Sequence, residues 1–263
     1  MAEPIFSVAD LRVDVPDMTR KPLFGRAPRL QILKGLSFAI ERGTVLGIVG
    51  GSGSGKTTLG RTLVRLVEPT SGRLIFDGTD ITHFDDAQMR PLRRRMQMIF
   101  QDPMSSLNPR LTVGRSIAAP IGVGARDPRV IEVLGQVGLP ADFARRYPHE
   151  LSGGQRQRIG IARAIAMRPD FILADEIVSG LDVSSQAQVL NLLAGLVKEL
   201  GLTLAFISHD LSVIRRLCDR VIVMQSGAIV EDADTYTVFE RPSHPYTREL
   251  LDAIPSPDPS ERW

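Results

Sequence analysis

The sequence predicts an α/β fold: a mostly parallel sheet, a β-rich N-terminal portion and a helical segment inserted between them. Three observations carry this. Apolar runs at 44–49, 171–174, 202–207 and 220–224 read as buried strands, and helix-period segments lie between several of them, the rhythm of a parallel sheet covered on both faces. A glycine-rich stretch at 50–58 joins the first run to Leu59, Leu63, Val64, Leu66 and Val67, spaced as one helix face. Between 85 and 150 the rhythm is lost, and helical fragments are broken by Pro120, Gly124, Pro128 and Pro140.

In chain order, residues 5–8 and 11–15 alternate as half-buried strands, 16–30 read as a loop, and 32–40 resume the strand pattern before a turn at 41–43. After the first helix, 73–76 form a short strand closed by the hairpin signal Asp77-Gly78. The arginines at 90 and 93–95 read as a solvated face. A helix is expected from about 155 to 167. Ser184 or Ser185 can cap another, whose face is Val189, Leu192, Leu193, Leu196, Val197 and Leu200 and whose end is Gly201. The tail from 232 reads as less tightly packed.

Composition narrows the function. A net charge of +2 gives no electrostatic case for nucleic acid. The single cysteine, Cys218, excludes an internal disulfide and reads as a buried or half-buried structural thiol. No apolar run is long enough to span a bilayer, and no signal peptide is expected, so the chain is expected in the cytoplasm, with room for docking on a membrane protein. His83, His149 and His244 lack metal-ligand spacing and read as structural or exposed.

The chemistry concentrates in a few places. Gly50, Gly51, Ser52, Gly53, Ser54, Gly55, Lys56, Thr57 and Thr58 fit the P-loop pattern. Glycines let the backbone curl, and the N–H groups with the helix N-terminus form an anion nest. Lys56 adds a positive charge for outer phosphates, and Thr57 a hydroxyl for Mg²⁺. Asp175 and Glu176 end an apolar strand, where open α/β sheets bind ligands. Asp175 can hold Mg²⁺, and Glu176 can deprotonate an attacking water. Leu151, Ser152, Gly153, Gly154 and Gln155 offer a second nest, with Ser152 as N-cap.

Two phosphate cradles about a hundred residues apart, in this order with the residues between, resemble the nucleotide-binding domain of ABC transporters over nearly the whole chain. The resemblance implies a P-loop NTPase core with a mostly parallel sheet, an N-terminal antiparallel β subdomain and an inserted helical subdomain. It implies a single domain over 1–263, with 5–84 and 171–231 as core and β subdomain, 85–170 helical and 232–263 a tail. It further implies that the signature at 151–155 closes on ATP held by a partner's P-loop, that Gln101 is the Q-loop glutamine contacting Mg²⁺ and water, that His209 is the switch histidine, and that Asp182 is the D-loop aspartate crossing the dimer interface.

A narrower resemblance rests on residues 147–150, 183–193 and Ser243-His244-Pro245-Tyr246-Thr247. These are similar to the oligopeptide/dipeptide/nickel importer subfamily, and most to its second ATPase subunit. This likeness implies an ATPase using ATP and Mg²⁺ at the cytoplasmic face of the membrane. It would pair with a second ATPase subunit, homologous or identical, and two transmembrane permeases, and be served by an extracytoplasmic solute-binding protein. The solute would be a peptide or, alternatively, nickel or a metal chelate. The subfamily usually has Glu at 51, Pro at 177 and Ala at 180, where this chain has Gly51, Ile177 and Gly180. Phe24 is the nearest candidate for the aromatic stacked on adenine. The rival readings are a non-transport ABC ATPase, which usually carries coiled-coil, zinc or tandem insertions not seen here, and a P-loop kinase, which has no use for the signature.

Overall fold

The structure, a computed structural model, describes residues 3–20, 25, 27–102 and 107–253. Its strands are β1 (Phe6–Pro16), β2 (Arg29–Ile40), β3 (Val45–Val49), β4 (Ser71–Phe76), β5 (Thr79–Asp80), β6 (Met96–Ile99), β7 (Phe171–Asp175), β8 (Thr203–Ile207), β9 (Arg220–Gln225) and β10 (Ala228–Asp234). Its α-helices are α1 (Lys56–Leu63), α2 (Asp86–Met89), α3 (Val113–Ile121), α4 (Pro128–Gln136), α5 (Gly153–Ile165), α6 (Val183–Leu200), α7 (Leu211–Leu217), α8 (Thr235–Glu240) and α9 (Pro245–Asp252).

The N-terminal sheet is antiparallel, in the order β2-β1-β4-β5. The alternation predicts two strands before residue 16, but β1 is one strand with an irregularity at Ala9-Asp10, Asp10 having φ 47. Val8 and Leu11 are three residues apart yet both buried; only an extra residue lets both face inward, since side chains otherwise alternate. The hairpin at Asp77-Gly78 forms as expected, with φ 48 and 73, the left-handed pair that a two-residue turn needs.

The second sheet runs β10-β9-β3-β8-β7-β6; all its pairings are parallel except β10 with β9. Its central strands are buried on both faces, so their side chains feed two cores. Val45, Val49, Ala174, Phe206 and Val223 join the core built by α3 to α8, while Leu46, Ile48, Leu173, Ile207 and Met224 join α1 and the antiparallel sheet. An aromatic cluster ties the two sheets together. The Phe6 ring lies 4.9 Å from Phe76 and 4.7 Å, edge-on, from Phe171.

Several local expectations need correction. The cap of α6 is Asp182, which accepts the Ser185 N–H at 2.9 Å, not Ser184 or Ser185; the helix starts earlier because Asp182 is already extended with its carboxylate over the first N–H groups. Gly201 closes α6 in the left-handed conformation, as expected. Helix α5 starts at Gly153 rather than at 155. Pro120 does not break α3 but sits in its last turn, one residue before the end; Gly122, left-handed, stops the helix. Pro128 stands at the start of α4, where its missing N–H is harmless. The arginine run is partly structural: Arg93 pairs with Asp86 at 2.5 Å, and Arg95 bridges Asp77 and Asp170. Between 232 and 253 the chain is more regular than expected, because Asp234 and His244 cap α8 and α9. Cys218 is buried.

Replacing Phe171 by alanine would open a cavity where the two sheets meet. We expect a loss of about 3–5 kcal/mol in urea unfolding; a loss under about 1 kcal/mol would show that the cluster does not join the sheets.

Candidate functional site

The register of the parallel sheet brings the candidate residues to one edge. Ile48 of β3 and Asp175 of β7 both pair with Ile207 of β8, and Ile99 of β6 pairs with Ala174. The loop after Val49, the acids ending β7, His209 after β8 and Gln101 after β6 therefore emerge together at the C-terminal edge.

The loop at 50–58 curls as its glycines allow. Gly50, Gly53 and Gly55 have φ 149, 76 and 100. At Gly50 a Cβ would lie 2.2 Å from the Met224 carbonyl oxygen, and at Gly53 it would meet nothing within 4 Å. The loop is thus pressed against the sheet on one side and open on the other, and Ser52 and Gly53 are exposed. Lys56 is buried and folds back, its Nζ donating to the carbonyls of Gly50 at 2.8 Å and Gly51 at 3.0 Å. Burial pushes its ammonium pKa down, against the pull of Glu176 and Asp175. The Gly51 N–H donates to the hydroxyl of Tyr246 at 2.8 Å. The Ser54 hydroxyl is buried with no protein partner. A curled, glycine-lined loop with an ammonium inside and an unpaired hydroxyl fits a phosphate chain.

Beside it, the Thr57 hydroxyl donates to Asp175 at 3.3 Å. Asp175 is 4% exposed, and burial raises its pKa above the usual carboxylate value, with the Thr57 bond opposing. Among the described residues no cluster of three His, Cys, Asp or Glu could hold a metal by itself. A hydroxyl and a carboxylate are hard oxygen donors suited to Mg²⁺, which is commonly completed by substrate phosphates and water.

Glu176 has φ 49, a left-handed conformation unusual outside glycine, and its N–H is anchored on the Ile207 carbonyl at 3.0 Å. Its carboxylate is held at both ends. Gln101 Nε2 donates to Oε2 at 3.1 Å, and His209 Nδ1 lies 3.3 Å from Oε1. A partly buried carboxylate oriented by an amide and an imidazole can take a proton from a bound water.

The second nest lies elsewhere. Ser152 caps α5, accepting the Gln155 N–H while Gln155 returns a bond to the Ser152 N–H. Gly153 faces Leu181, and a Cβ on Gly154 would stand 3.3 Å from the Ser185 hydroxyl, so Leu151-to-Gln155 and Asp182 share one surface. Asp182 is exposed, and Val183 beside it is 83% exposed. Ile177 is core, 1% exposed, and Gly180 has φ 80, which alanine there would find strained. Phe24 lies outside the described residues. Sequence reasoning missed the Tyr246 contact with Gly51, for no local pattern links residues 195 apart.

With this geometry in place, the comparisons are specific. Residues 33–179 match the family model "ABC transporter", and the chain belongs to that family. Residues 230–263 match "Oligopeptide/dipeptide transporter, C-terminal region". A putative peptide import ATP-binding protein of Brucella ovis is 56% identical, over 90% of this chain and 77% of its own length. The glutathione import ATP-binding protein GsiA of Pectobacterium atrosepticum is 48% identical over 99% of this chain and 43% of that protein. Among solved structures, cbiO1 of Clostridium perfringens, part of the ABC transporter complex cbiONQ, superposes with a TM-score of 0.78 at 28% identity, covering 91% of this chain and 92% of that one.

Because burial raises the Asp175 pKa, the folded chain holds this proton more tightly than the unfolded chain; its contribution to stability falls as pH rises from the ordinary carboxylate value through the folded one, and above that its charge is a net burden. Asp175→Asn should therefore raise the Tm of the nucleotide-free chain by about 2–4 °C at neutral pH, a gain that shrinks on acidification. Thermal melts across pH check this; a Tm lowered by the change at neutral pH would contradict it.

Proposed function

We propose that this chain is the ATP-binding and ATP-hydrolysing subunit that powers an importer for peptides or related small solutes across the cytoplasmic membrane. The observation that carries the reading is the meeting of Lys56, Thr57, Asp175, Glu176, Gln101 and His209 at one sheet edge, with a second N–H nest on a separate surface beside Asp182. The names of the peptide- and glutathione-import relatives support a peptide-like solute.

In this reading N–H groups of the loop at 50–58 other than that of Gly51, with the ammonium of Lys56, bind the phosphates of ATP. Thr57, Asp175 and Gln101 would hold Mg²⁺; in the structure the Thr57 hydroxyl donates to Asp175 and the Gln101 amide donates to Glu176. When bound, that ion neutralises charge on the outer phosphates. Glu176 accepts the proton of the attacking water, and Gln101 and His209 keep its carboxylate aimed. The Ser152 hydroxyl and the N–H groups of Gly153 and Gly154, with Leu151 and Gln155 shaping the turn, face the ATP of a second ATPase subunit, homologous or identical. The exposed Asp182 and Val183 lie on that contact. Two transmembrane permeases complete the complex on the cytoplasmic face of the membrane, served by an extracytoplasmic solute-binding protein, and nucleic acid has no part. The chain is one ABC ATPase domain with 232–263 as its C-terminal tail; of the segment 85–170, expected to be the helical subdomain, β6 belongs instead to the core sheet, and α3 to α5 follow it. Among the described residues no helix is long and apolar enough to cross a membrane, in keeping with peripheral attachment.

In an assembled complex whose partner site is disabled, Glu176→Gln should trap ATP and lower turnover by about 10²–10⁴-fold; near-normal hydrolysis would refute the role. The isolated chain should bind ATP yet hydrolyse it slowly, with specific activity rising with protein concentration. Fast, concentration-independent turnover by a verified monomer would contradict a site completed by a second subunit.

A further inference from the structure

We propose that Tyr246 is a positioning residue for the phosphate loop, clamping the Gly50–Gly51 peptide so that the loop is curled before nucleotide arrives. This rests on the reading of residues 50–58 as the phosphate site. The peptide in question is a planar unit with one acceptor and one donor. Its carbonyl, on Gly50, accepts Lys56 Nζ at 2.8 Å; its N–H, on Gly51, donates to the Tyr246 hydroxyl at 2.8 Å. With both ends engaged, the plane cannot rotate without breaking one of the two bonds.

The glycine at 51 has a separate explanation from its neighbours. Gly50, Gly53 and Gly55 have positive φ, but Gly51 does not. A Cβ there would lie 2.9 Å from the Tyr246 hydroxyl oxygen, so a side chain at 51 must push that hydroxyl aside. The small residue at 51 and the phenol at 246 fit one another.

The tyrosine is itself anchored to the sheet that carries the loop. Glu231, buried on β10, accepts the N–H groups of Ser243 at 2.8 Å and His244 at 3.1 Å. Burial alone would raise the Glu231 pKa, but these bonds together with the Thr247 and Ser243 hydroxyls outweigh it and hold the carboxyl below its usual value. His244 Nδ1 then accepts the Tyr246 N–H at 3.2 Å, and Pro245 opens α9. Strand β10 pairs with β9, whose Met224 carbonyl backs Gly50. The His-Pro-Tyr segment thus has a physical job: it caps a short helix and delivers a hydroxyl to the loop. A glycine-rich loop loses much freedom on ordering, and a brace that orders it beforehand tightens binding.

The test uses the full chain without nucleotide and then with Mg²⁺-ADP. In Tyr246→Phe, which keeps the ring, exchange of the residue 51 amide should quicken about fivefold or more, and the Kd for ADP should rise about three- to tenfold. In Gly51→Ala the added methyl displaces the hydroxyl and gives losses of similar size. The double variant should be no worse than about either single change, since both break one contact. If Tyr246→Phe fails to fold, the residue 51 amide in Gly51→Ala carries the test. Unchanged exchange and ADP affinity in a folded Tyr246→Phe, or losses that multiply in the double variant, would overturn the proposal. Failure of the unaltered chain to bind ADP would instead refute the phosphate-site reading, and the positioning role with it.

Discussion

The register of β3 between β8 and β9 is the constraint on which the rest depends. Each parallel neighbour must end level with the next for the loop after Val49, the carboxylates after Ala174 and the imidazole after Ser208 to share one edge. A slip would turn every core side chain to the opposite face, and here both faces are buried in different cores. The packing that specifies the fold therefore also specifies the distances from Glu176 to Gln101 and His209.

Charge at that edge is arranged with few free partners. Lys56 is satisfied by backbone carbonyls, not by the nearby acids, and Asp175 has a threonine hydroxyl in place of a cation. Both groups are buried and both have pKa values moved toward neutrality of the side chain. Such a site is tense in the electrostatic sense: its ionised groups have given up water, and what they touch in return is neutral.

Much of this was legible in the sequence because it is local. The loop glycines, the Ser152 cap and the acids after an apolar run each carry their chemistry in adjacent residues. The apolar runs at 44–49, 171–174, 202–207 and 220–224 also read correctly as strands, but β6, β10 and the bulge at Asp10 were missed, the last despite the odd spacing of Val8 and Leu11. The errors at 182, 120 and after 231 share a cause. Capping depends on which residue is already extended, and a proline near a helix end does no damage. Contacts such as Tyr246 with Gly51, or Gly154 with Ser185, are set by tertiary packing and have no one-dimensional trace.

The strand order has a consequence for how the chain is made. Strand β3 lies near the beginning, yet its neighbours β8 and β9 come after residue 200. During synthesis the strand that leads into the loop at 50–58 waits with both edges unpaired until most of the chain has emerged. Pairings so distant in sequence close slowly, and open apolar edges invite association with other chains. A fragment ending before β8 keeps the loop's sequence but lacks both strands that hold its root, so the site belongs to the completed sheet and not to the loop.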